Sequence, residues 1–213
     1  MTALAQSERR AGRFEVPFPA GGYPVLRPDY SKGRWAAESS VWMPDLIAMA
    51  CRKAEGLLDK GAPYPEILVC LVSAAEALSG GRSVASILVL DENGLLRNGA
   101  SPNLPRDYLT AIDRILPDAD VGTCAAAAAT GRVVVTPSFL ADEKWSELRH
   151  LPLAIGFQAA WSMPIKSHLN GKVLGTFGTY FRDERSPTEA EISSVTRLAS
   201  VAARVLDSRE LQN

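Results

Sequence analysis

Hydrophobic positions recur at helical spacing in two neighbouring segments in the first half of the chain. The first segment covers residues 44–60, where Pro44 stands at the front and Gly61 follows the last apolar position. The second, YPEILVCLVSAAEAL, repeats the spacing and ends in a glycine pair. Both segments are predicted to form amphipathic helices.

The strongest helical pattern lies at residues 187–208. Ser186 is the predicted N-cap, Pro187 takes the first helical position and Glu189 follows three residues after the cap. The apolar positions then form one face, which consists of Ile192, Val195, Leu198, Ala199, Ala202, Val205 and Leu206. Such a stripe must be covered, and we expect it to contribute to a homodimer through the terminal helices.

Strand patterns occupy the middle of the chain. Asn93-Gly94 and Asn170-Gly171 each stand between two apolar runs, and Asn-Gly supplies the positive φ angles of a tight hairpin turn. The segment GRVVVTPS predicts a shorter strand between these hairpins. In AAWSMPI, alternation puts Trp161 and Met163 on one face of the sheet and Ser162 on the other. The pattern does not decide which face borders a pocket.

Short helices are predicted between the strands. The clearest are LPRDYLTAIDRI and the alanine run of residues 124–130, which Gly131 closes. The segment DEKWSELRHLPLAIG is predicted to be helical until Pro152 interrupts it. The order of helices and hairpins predicts an α+β fold, a central antiparallel β-sheet with helices on both faces.

Composition excludes several classes of function. The 213 residues are 46% hydrophobic and 22% charged, with a net charge of −1 that offers no field for nucleic acid or an anionic membrane. No apolar run approaches the roughly 18 residues of a spanning helix, so we expect a cytoplasmic protein. Three cysteines without paired spacing predict reduced thiols rather than disulfides or a metal site.

The chain is predicted to divide into an arm and one domain. Residues 1–40 are rich in Pro, Gly and charge, and they form an irregular arm that nevertheless contains aromatic side chains. Residues 41–210 form the domain, with a core at 62–185 between its terminal helices. Because no kinase, cyclase or DNA-binding segment follows, we expect a separate signalling protein to carry the output.

The segments from LRNGAS, through VGTCAAAAATGRVVVTPSFLADEKW, to GKVLGTFGTYFRDERSPTEAEI together resemble the GAF sensory domains of bacterial signalling proteins. The resemblance covers roughly residues 62–207, and its order and spacing carry it rather than any single motif. It implies a sheet with a small-molecule pocket under loops and short helices on one face. It also implies that the first and last helices pack on the other face, where they commonly make dimer contacts.

Within that resemblance, the pocket is expected near Cys124, Trp145 and Trp161. The full set of expected ligand-binding residues is Cys124, Trp145, Arg149, Phe157, Trp161, Met163 and Thr179. The sequence does not identify the ligand beyond a small organic or anionic molecule. Haem would need an axial histidine, and His150 alone, with no further pattern, does not favour it.

Two other functions remain open from the sequence. Free methionine-(R)-sulfoxide reductase resembles this fold and works with pocket cysteines, so Cys124 could be a nucleophile. A second cysteine would have to resolve the product, and Cys51 and Cys70 are predicted to lie on helices beyond the sheet. Alternatively, the pocket is occluded and the aromatic arm binds a protein partner. The leading prediction is a non-enzymatic sensor in which Cys124 is a small buried residue beside the pocket.

Overall fold

The computed structural model describes residues 43–210 of the chain. The helices are α1 (Met43–Asp59), α2 (Tyr64–Leu78), α3 (Arg106–Ala111), α4 (Cys124–Thr130), α5 (His150–Ala154) and α6 (Glu189–Glu210). The strands are β1 (Ser83–Leu90), β2 (Leu96–Ala100), β3 (Val134–Thr136), β4 (Ala159–Lys166) and β5 (Val173–Phe181). The predicted arm, residues 1–40, lies outside the described residues.

The five strands form one antiparallel sheet in the order β2-β1-β5-β4-β3. Both predicted hairpins are confirmed, because β1 pairs with β2 and β4 pairs with β5. Gly94 and Gly171 have φ angles of +73° and +74° in the two connections, which a residue with a Cβ adopts only at a cost. The α+β fold with helices on both faces of a central sheet is therefore confirmed.

One face of the sheet is covered by the long helices α2 and α6, and α1 packs on these two helices. Alternation along the strands turns bulky side chains toward them, including Ile87, Trp161 and Phe177, which are almost completely buried. These residues pack in one continuous apolar core with Leu68 and Leu198 of the helices. Burial of apolar area in this layer supplies most of the driving force for folding.

The terminal helix starts later than its sequence pattern predicts. Thr188, not Ser186, caps α6, because its hydroxyl accepts the Glu191 backbone N–H while the Glu191 carboxylate accepts the Thr188 N–H. This reciprocal pair is a capping box, and it competes successfully with the Ser-Pro start. Arg185 adds two hydrogen bonds to the same carboxylate at 2.8 and 2.9 Å.

The apolar stripe of α6 is used within the chain itself. Val195, Leu198, Ala202 and Leu206 are all at most 2% exposed and belong to the helix-covered core. The stripe therefore no longer supports a homodimer, since its residues are already covered. Dimerisation through the terminal helices stays a prediction.

The opposite face is covered by short, irregular elements. The α4 helix lies on β4 and β5 and ends at Gly131, whose φ of +62° confirms the predicted glycine stop. The prediction for Pro152 is wrong, because Pro152 lies inside α5 rather than ending a helix. It occupies the first turn, where a backbone N–H has no partner within the helix and its loss costs little. Before it, residues Glu143–Trp145 form a single 3₁₀ turn.

Candidate functional site

A cavity lies between the sheet and its short covering elements. Its volume is about 30 Å³, which is room for one or two waters and far below the roughly 300 Å³ of a metabolite pocket. The wall is mainly apolar, and its larger aliphatic side chains are Leu88, Ile112, Ile115, Val121, Leu148 and Leu151. The remaining wall is formed by Tyr108, Gly122, Thr123, Cys124, Ala125, Trp145 and Tyr180.

Two covering segments meet above this cavity. The Gly122 backbone N–H donates to the Lys144 carbonyl at 2.8 Å, which ties the start of α4 to the 3₁₀ turn. Gly122 has a φ of +53°, and a Cβ there would stand 3.5 Å from the Trp145 indole. Trp145 in turn packs on Phe139 with ring centroids 4.4 Å apart. The loop before α4 and the Trp145 indole therefore form one side of the cavity together.

Two buried polar groups on the cavity wall make no hydrogen bond with any described residue. They are the Tyr108 hydroxyl and the Trp145 indole N–H, on side chains that are 4% and 5% exposed. The Tyr180 hydroxyl is close enough to interact with that of Tyr108, but the two do not reach hydrogen-bond geometry. Burying such a group without a partner costs free energy, so native structures rarely leave two beside one cavity. The two groups are therefore the strongest local indication of a binding site.

Tyr108 and Tyr180 stand edge to face on the cavity wall, with ring centroids 5.8 Å apart. Burial raises the pKa of both phenols well above the usual value. Both hydroxyls are consequently neutral at physiological pH and remain able to donate a hydrogen bond.

Cys124 lies at the first position of α4 against the middle of the sheet. The Ser162 hydroxyl donates to its sulfur at 3.1 Å, and a Cβ on Gly178 would come within 3.1 Å of the same sulfur. The missing side chain of Gly178 thus makes room for the thiol. Burial raises the pKa of the Cys124 thiol, so the unreactive protonated form dominates.

The expected site residues fall into two groups. Cys124 and Trp145 line the cavity. Trp161, Met163 and Thr179 lie on the opposite face of the sheet, and Trp161 and Met163 belong to the core under the long helices. The geometry brings Cys124 and Trp145 together and separates them from these three residues. Ligand binding by any of the residues stays a prediction.

Phe157 and Arg149 lie near the cavity without forming its wall. Phe157 is 2% exposed and packs on Tyr180, behind the cavity, with ring centroids 5.3 Å apart. An Nη1 atom of Arg149 donates to the Leu140 carbonyl at 2.8 Å, which joins the segment before α5 to the preceding loop. Both side chains hold the covering segments in place.

Tyr108 and Tyr180 line the cavity but are not among the expected ligand-binding residues. A signal for Tyr108 exists, because Leu104, Tyr108 and Ile112 recur at a spacing of four on one face of a predicted helix. All three are buried in the cluster beneath the covering segments. A tyrosine on an otherwise aliphatic face carries its hydroxyl into the interior, which marks it as a candidate polar group.

Neither histidine lies on the cavity wall. His150 is exposed at the start of α5, and His168 contacts the Ser200 carbonyl of α6 through Nε2 at 3.0 Å. No group of three or more His, Cys, Asp or Glu side chains within the described part of the chain is placed to hold a metal ion. The polar chemistry of the cavity therefore rests on hydroxyl, indole and thiol groups.

A comparison with known families agrees with the fold. The model of the family described as GAF domain matches residues 62–207, which is more than half of the chain. This chain belongs to the GAF domain family. Within residues 43–210, no helix is long and apolar enough to cross a membrane.

One relative connects this GAF domain with sensing. The methyl sulfide methyltransferase-associated sensor of Methanosarcina acetivorans is 33% identical over 147 residues, which are 69% of this chain. The match covers only 15% of that sensor, so the chain spans a small part of its relative's length. The family and this relative together support a sensory or regulatory role.

Solved structures show the same fold at low sequence identity. The GAF domain of the Acinetobacter phosphoenolpyruvate-protein phosphotransferase has a TM-score of 0.64 at 15% identity, covering 82% of this chain and 98% of that domain. The free methionine-R-sulfoxide reductase of Neisseria meningitidis, in complex with its substrate, has a TM-score of 0.57 at 14% identity. The likeness covers 80% of this chain and 89% of the reductase. These similarities concern the fold alone.

Proposed function

We propose that this GAF domain is a non-enzymatic sensor that binds a small molecule in the cavity beside Cys124 and Trp145. The observation that supports it is the pair of buried polar groups, the Tyr108 hydroxyl and the Trp145 indole N–H, beside one cavity. A ligand that accepts hydrogen bonds from both groups would remove their desolvation cost on binding. Ligand binding would then stabilise the closed arrangement of the covering segments.

A ligand larger than a few atoms requires the cover to move. The cavity volume of about 30 Å³ is too small for it. The segments most able to move are those before α4 and around the 3₁₀ turn, because short irregular elements open at a lower free energy than long helices. The Gly122 to Lys144 hydrogen bond is the contact that must break when they separate.

One contact links the cover with the helices on the other face. Glu76 of α2 is 8% exposed, and its carboxylate accepts hydrogen bonds from the Ala85 backbone N–H and from the Asn103 side chain. Asn103 precedes α3, which carries Tyr108. A ligand on Tyr108 can bias α2 through this contact, to the extent that its affinity differs between two arrangements.

Native mass spectrometry of the purified protein tests the proposal. We expect a mass that is present under native conditions and lost on denaturation, and that is absent from a Tyr108→Phe, Trp145→Phe double variant. The matched control is Thr179→Val on the opposite face, which should retain the mass. Bare protein mass for wild type, even after incubation with a cell metabolite extract, would contradict the sensor.

Hydrogen exchange tests signal transmission separately. Ligand should change amide exchange in residues 44–60 and 187–207, and Asn103→Ala should reduce that change while leaving the bound mass in place. Unchanged exchange in both helices would sink the proposed route. The partner that receives the signal, and a homodimer contact through the terminal helices, belong to this proposal as well.

The small cavity favours a second candidate, a protein-interaction module whose pocket stays occluded. Its predicted binding segment, residues 14–42, is outside the described residues. Deleting residues 1–42, which end before α1, should then abolish partner capture without altering the thermal midpoint. If the shortened protein still captured the partner, the predicted segment would not be the binding segment and this candidate would be contradicted.

A sulfoxide reductase is not favoured by the placement of the thiols. Cys51 packs against the helix-covered core, on the other side of the sheet from Cys124. The raised pKa of Cys124 also disfavours the thiolate that must attack a sulfoxide. Cys124→Ser should therefore not change free methionine sulfoxide turnover relative to wild type.

A further inference from the structure

We infer that the cavity is selective for an uncharged ligand that accepts hydrogen bonds, and that it rejects ions of the same size and shape. This inference rests on the proposed function and adds the chemical class of the ligand. It is carried by the composition of the wall, which has no charged residue, and by the direction of its free hydrogen bonds.

The wall provides no compensating charge for an ion. Within the described residues, none of those lining the cavity is Asp, Glu, Lys, Arg or His. A buried ion without a partner of opposite charge loses its hydration and gains nothing comparable in return. Two charged side chains lie close in sequence to the wall. Lys144 pairs with Asp142 at 2.8 Å. Arg149 donates through Nη1 to the Leu140 carbonyl, and its Nε, which is buried without a partner among the described residues, is not part of the cavity wall.

The free polar groups of the wall offer protons. An indole N–H is a donor only, and a phenol hydroxyl that is not otherwise bonded donates readily. Trp145 and Tyr108 carry these two groups, and neither has a hydrogen-bond partner among the described residues. A ligand atom such as a carbonyl oxygen can accept from one or both groups. The rest of the ligand would contact aliphatic wall such as Leu88 and Leu151.

An anion is the strongest competitor, because it accepts hydrogen bonds better than a carbonyl group does. Anion sites in proteins add a cationic side chain or several converging backbone N–H groups. The Gly122 N–H, which lies on the wall, is already bonded to the Lys144 carbonyl. Two neutral donors in an apolar wall do not repay the desolvation of a full negative charge. The geometry thus favours the neutral acceptor over the anion.

Three molecules of equal size separate these possibilities. Formamide, formate and formamidinium are planar, have three heavy atoms each, and are respectively neutral, negative and positive at neutral pH. The readout is the indole N–H signal of Trp145 in a ¹H–¹⁵N spectrum of full-length protein, assigned by its loss in Trp145→Phe. A ligand this small reaches millimolar affinity at best, so each probe is titrated through that range at constant ionic strength.

We expect formamide to move the Trp145 indole signal saturably and to a lower field, with formate and formamidinium at least tenfold weaker. Tyr108→Phe should weaken the formamide response, and the Trp161 indole signal serves as the internal control on the other face. A formate response as strong as that of formamide would overturn the inference. So would no response to any probe.

The same samples separate this failure from failure of the sensor. A retained mass in the native spectrum that proves to be an ion, lost in the Tyr108→Phe, Trp145→Phe double variant, would leave the sensor standing and overturn the neutral class. Absence of both a retained mass and any probe response would overturn the two together. A retained neutral molecule with formamide selectivity would support both.

Discussion

The two faces of the sheet are built on different principles. The helix-covered face presents bulky side chains such as Trp161 and Phe177 to long helices in one continuous core. The cavity face presents small or polar side chains such as Ala160 and Ser162, and short segments cover it. The same strands supply both faces, since alternate residues point in opposite directions.

Unpaired polar atoms alone do not distinguish the two faces. Trp161 Nε1 and Thr179 Oγ1, on the helix-covered face, also lack partners among the described residues. What differs is the surrounding, because Tyr108 and Trp145 border a cavity while Trp161 is enclosed by a packed core. A polar atom that has both a missing partner and space beside it indicates a site. An unpartnered polar atom with no space beside it lowers the stability of the fold but does not indicate a site.

The largest difference in the free energy of unfolding is expected between alanine variants of two glycines of β5. A Cβ on Gly175 would collide with the Leu88 carbonyl oxygen of the neighbouring strand, so Gly175→Ala must push β5 and β1 apart. We expect a loss of about 3 kcal/mol or more in the free energy of unfolding. Urea denaturation followed by circular dichroism measures it.

Gly178→Ala on the cavity face is the matched variant. Its Cβ would meet the Cys124 sulfur and the Ser86 hydroxyl, both at 3.1 Å, and these are side-chain atoms that can move. We expect a loss of about 1 kcal/mol. Equal losses for the two variants would mean that the side chains on the cavity face yield as little as the backbone of β1 does.

The next effect concerns the contact between the faces. Glu76→Ala leaves the buried Ala85 N–H without its acceptor at 3.0 Å and should cost about 2 kcal/mol in the free energy of unfolding. Glu76→Gln keeps a carbonyl oxygen for that N–H and should cost about half as much. Chemical denaturation of both variants gives the comparison. If the glutamine variant is as unstable as the alanine variant, the charge rather than the hydrogen bond is what matters at this position.

The sequence predicted the helix-covered face better than the cavity face. Long amphipathic segments such as residues 44–60 have enough apolar positions to define one buried stripe, and the Asn-Gly turns mark the hairpins directly. The covering segments are too short to show such periodicity, and a single tertiary contact can determine their conformation. Pro152 illustrates this, because its effect depends on whether it falls in the first turn of a helix or later.

The choice between the faces of β4 and β5 was nevertheless present in the sequence. Even-numbered positions carry Ser162, Thr176 and Gly178, while odd-numbered positions carry Trp161, Met163 and Phe177. A face opposite long helices needs volume, whereas a face that an alanine-rich helix approaches closely needs small residues. Comparing residue volumes between alternate positions would have placed Trp161 and Met163 away from the cavity.

A smaller effect is expected at the start of α6, on the helix-covered side. Hydrogen bonds from Arg185, opposed in part by burial, lower the pKa of Glu191 from 4.5 to about 2. The native state therefore binds the proton less readily than the unfolded chain does. The stabilisation is complete above pH 4.5 and is lost as the pH falls toward about 2.

Glu191→Gln measures that stabilisation. At neutral pH we expect the variant to be less stable than wild type by about 1 kcal/mol, allowing for solvent screening, and the gap should close at low pH. Asp183→Asn is the control, because Asp183 contacts Arg185 at 3.7 Å with its side chain 71% exposed. A gap that stays constant down to pH 2 would mean that capping geometry, and not charge, is responsible.

The smallest expected effect has an unusual sign. Thr179→Val removes a buried hydroxyl that has no partner among the described residues, at nearly constant volume, and should stabilise the protein by about 0.5 kcal/mol. Tyr108→Phe removes such a hydroxyl from the cavity wall and should do the same in the absence of ligand. Differential scanning calorimetry of both variants gives the sign of each change.

A difference in sign between these two variants would sharpen the contrast between the faces. If Thr179→Val stabilises and Tyr108→Phe destabilises, the Tyr108 hydroxyl has a partner in solution. That partner is then the neighbouring Tyr180 hydroxyl or a water, for which the cavity volume of about 30 Å³ has room. If the partner is a water, a ligand would have to displace it, and the ligand's acceptor atom would have to reproduce the same hydrogen bond to bind with net gain.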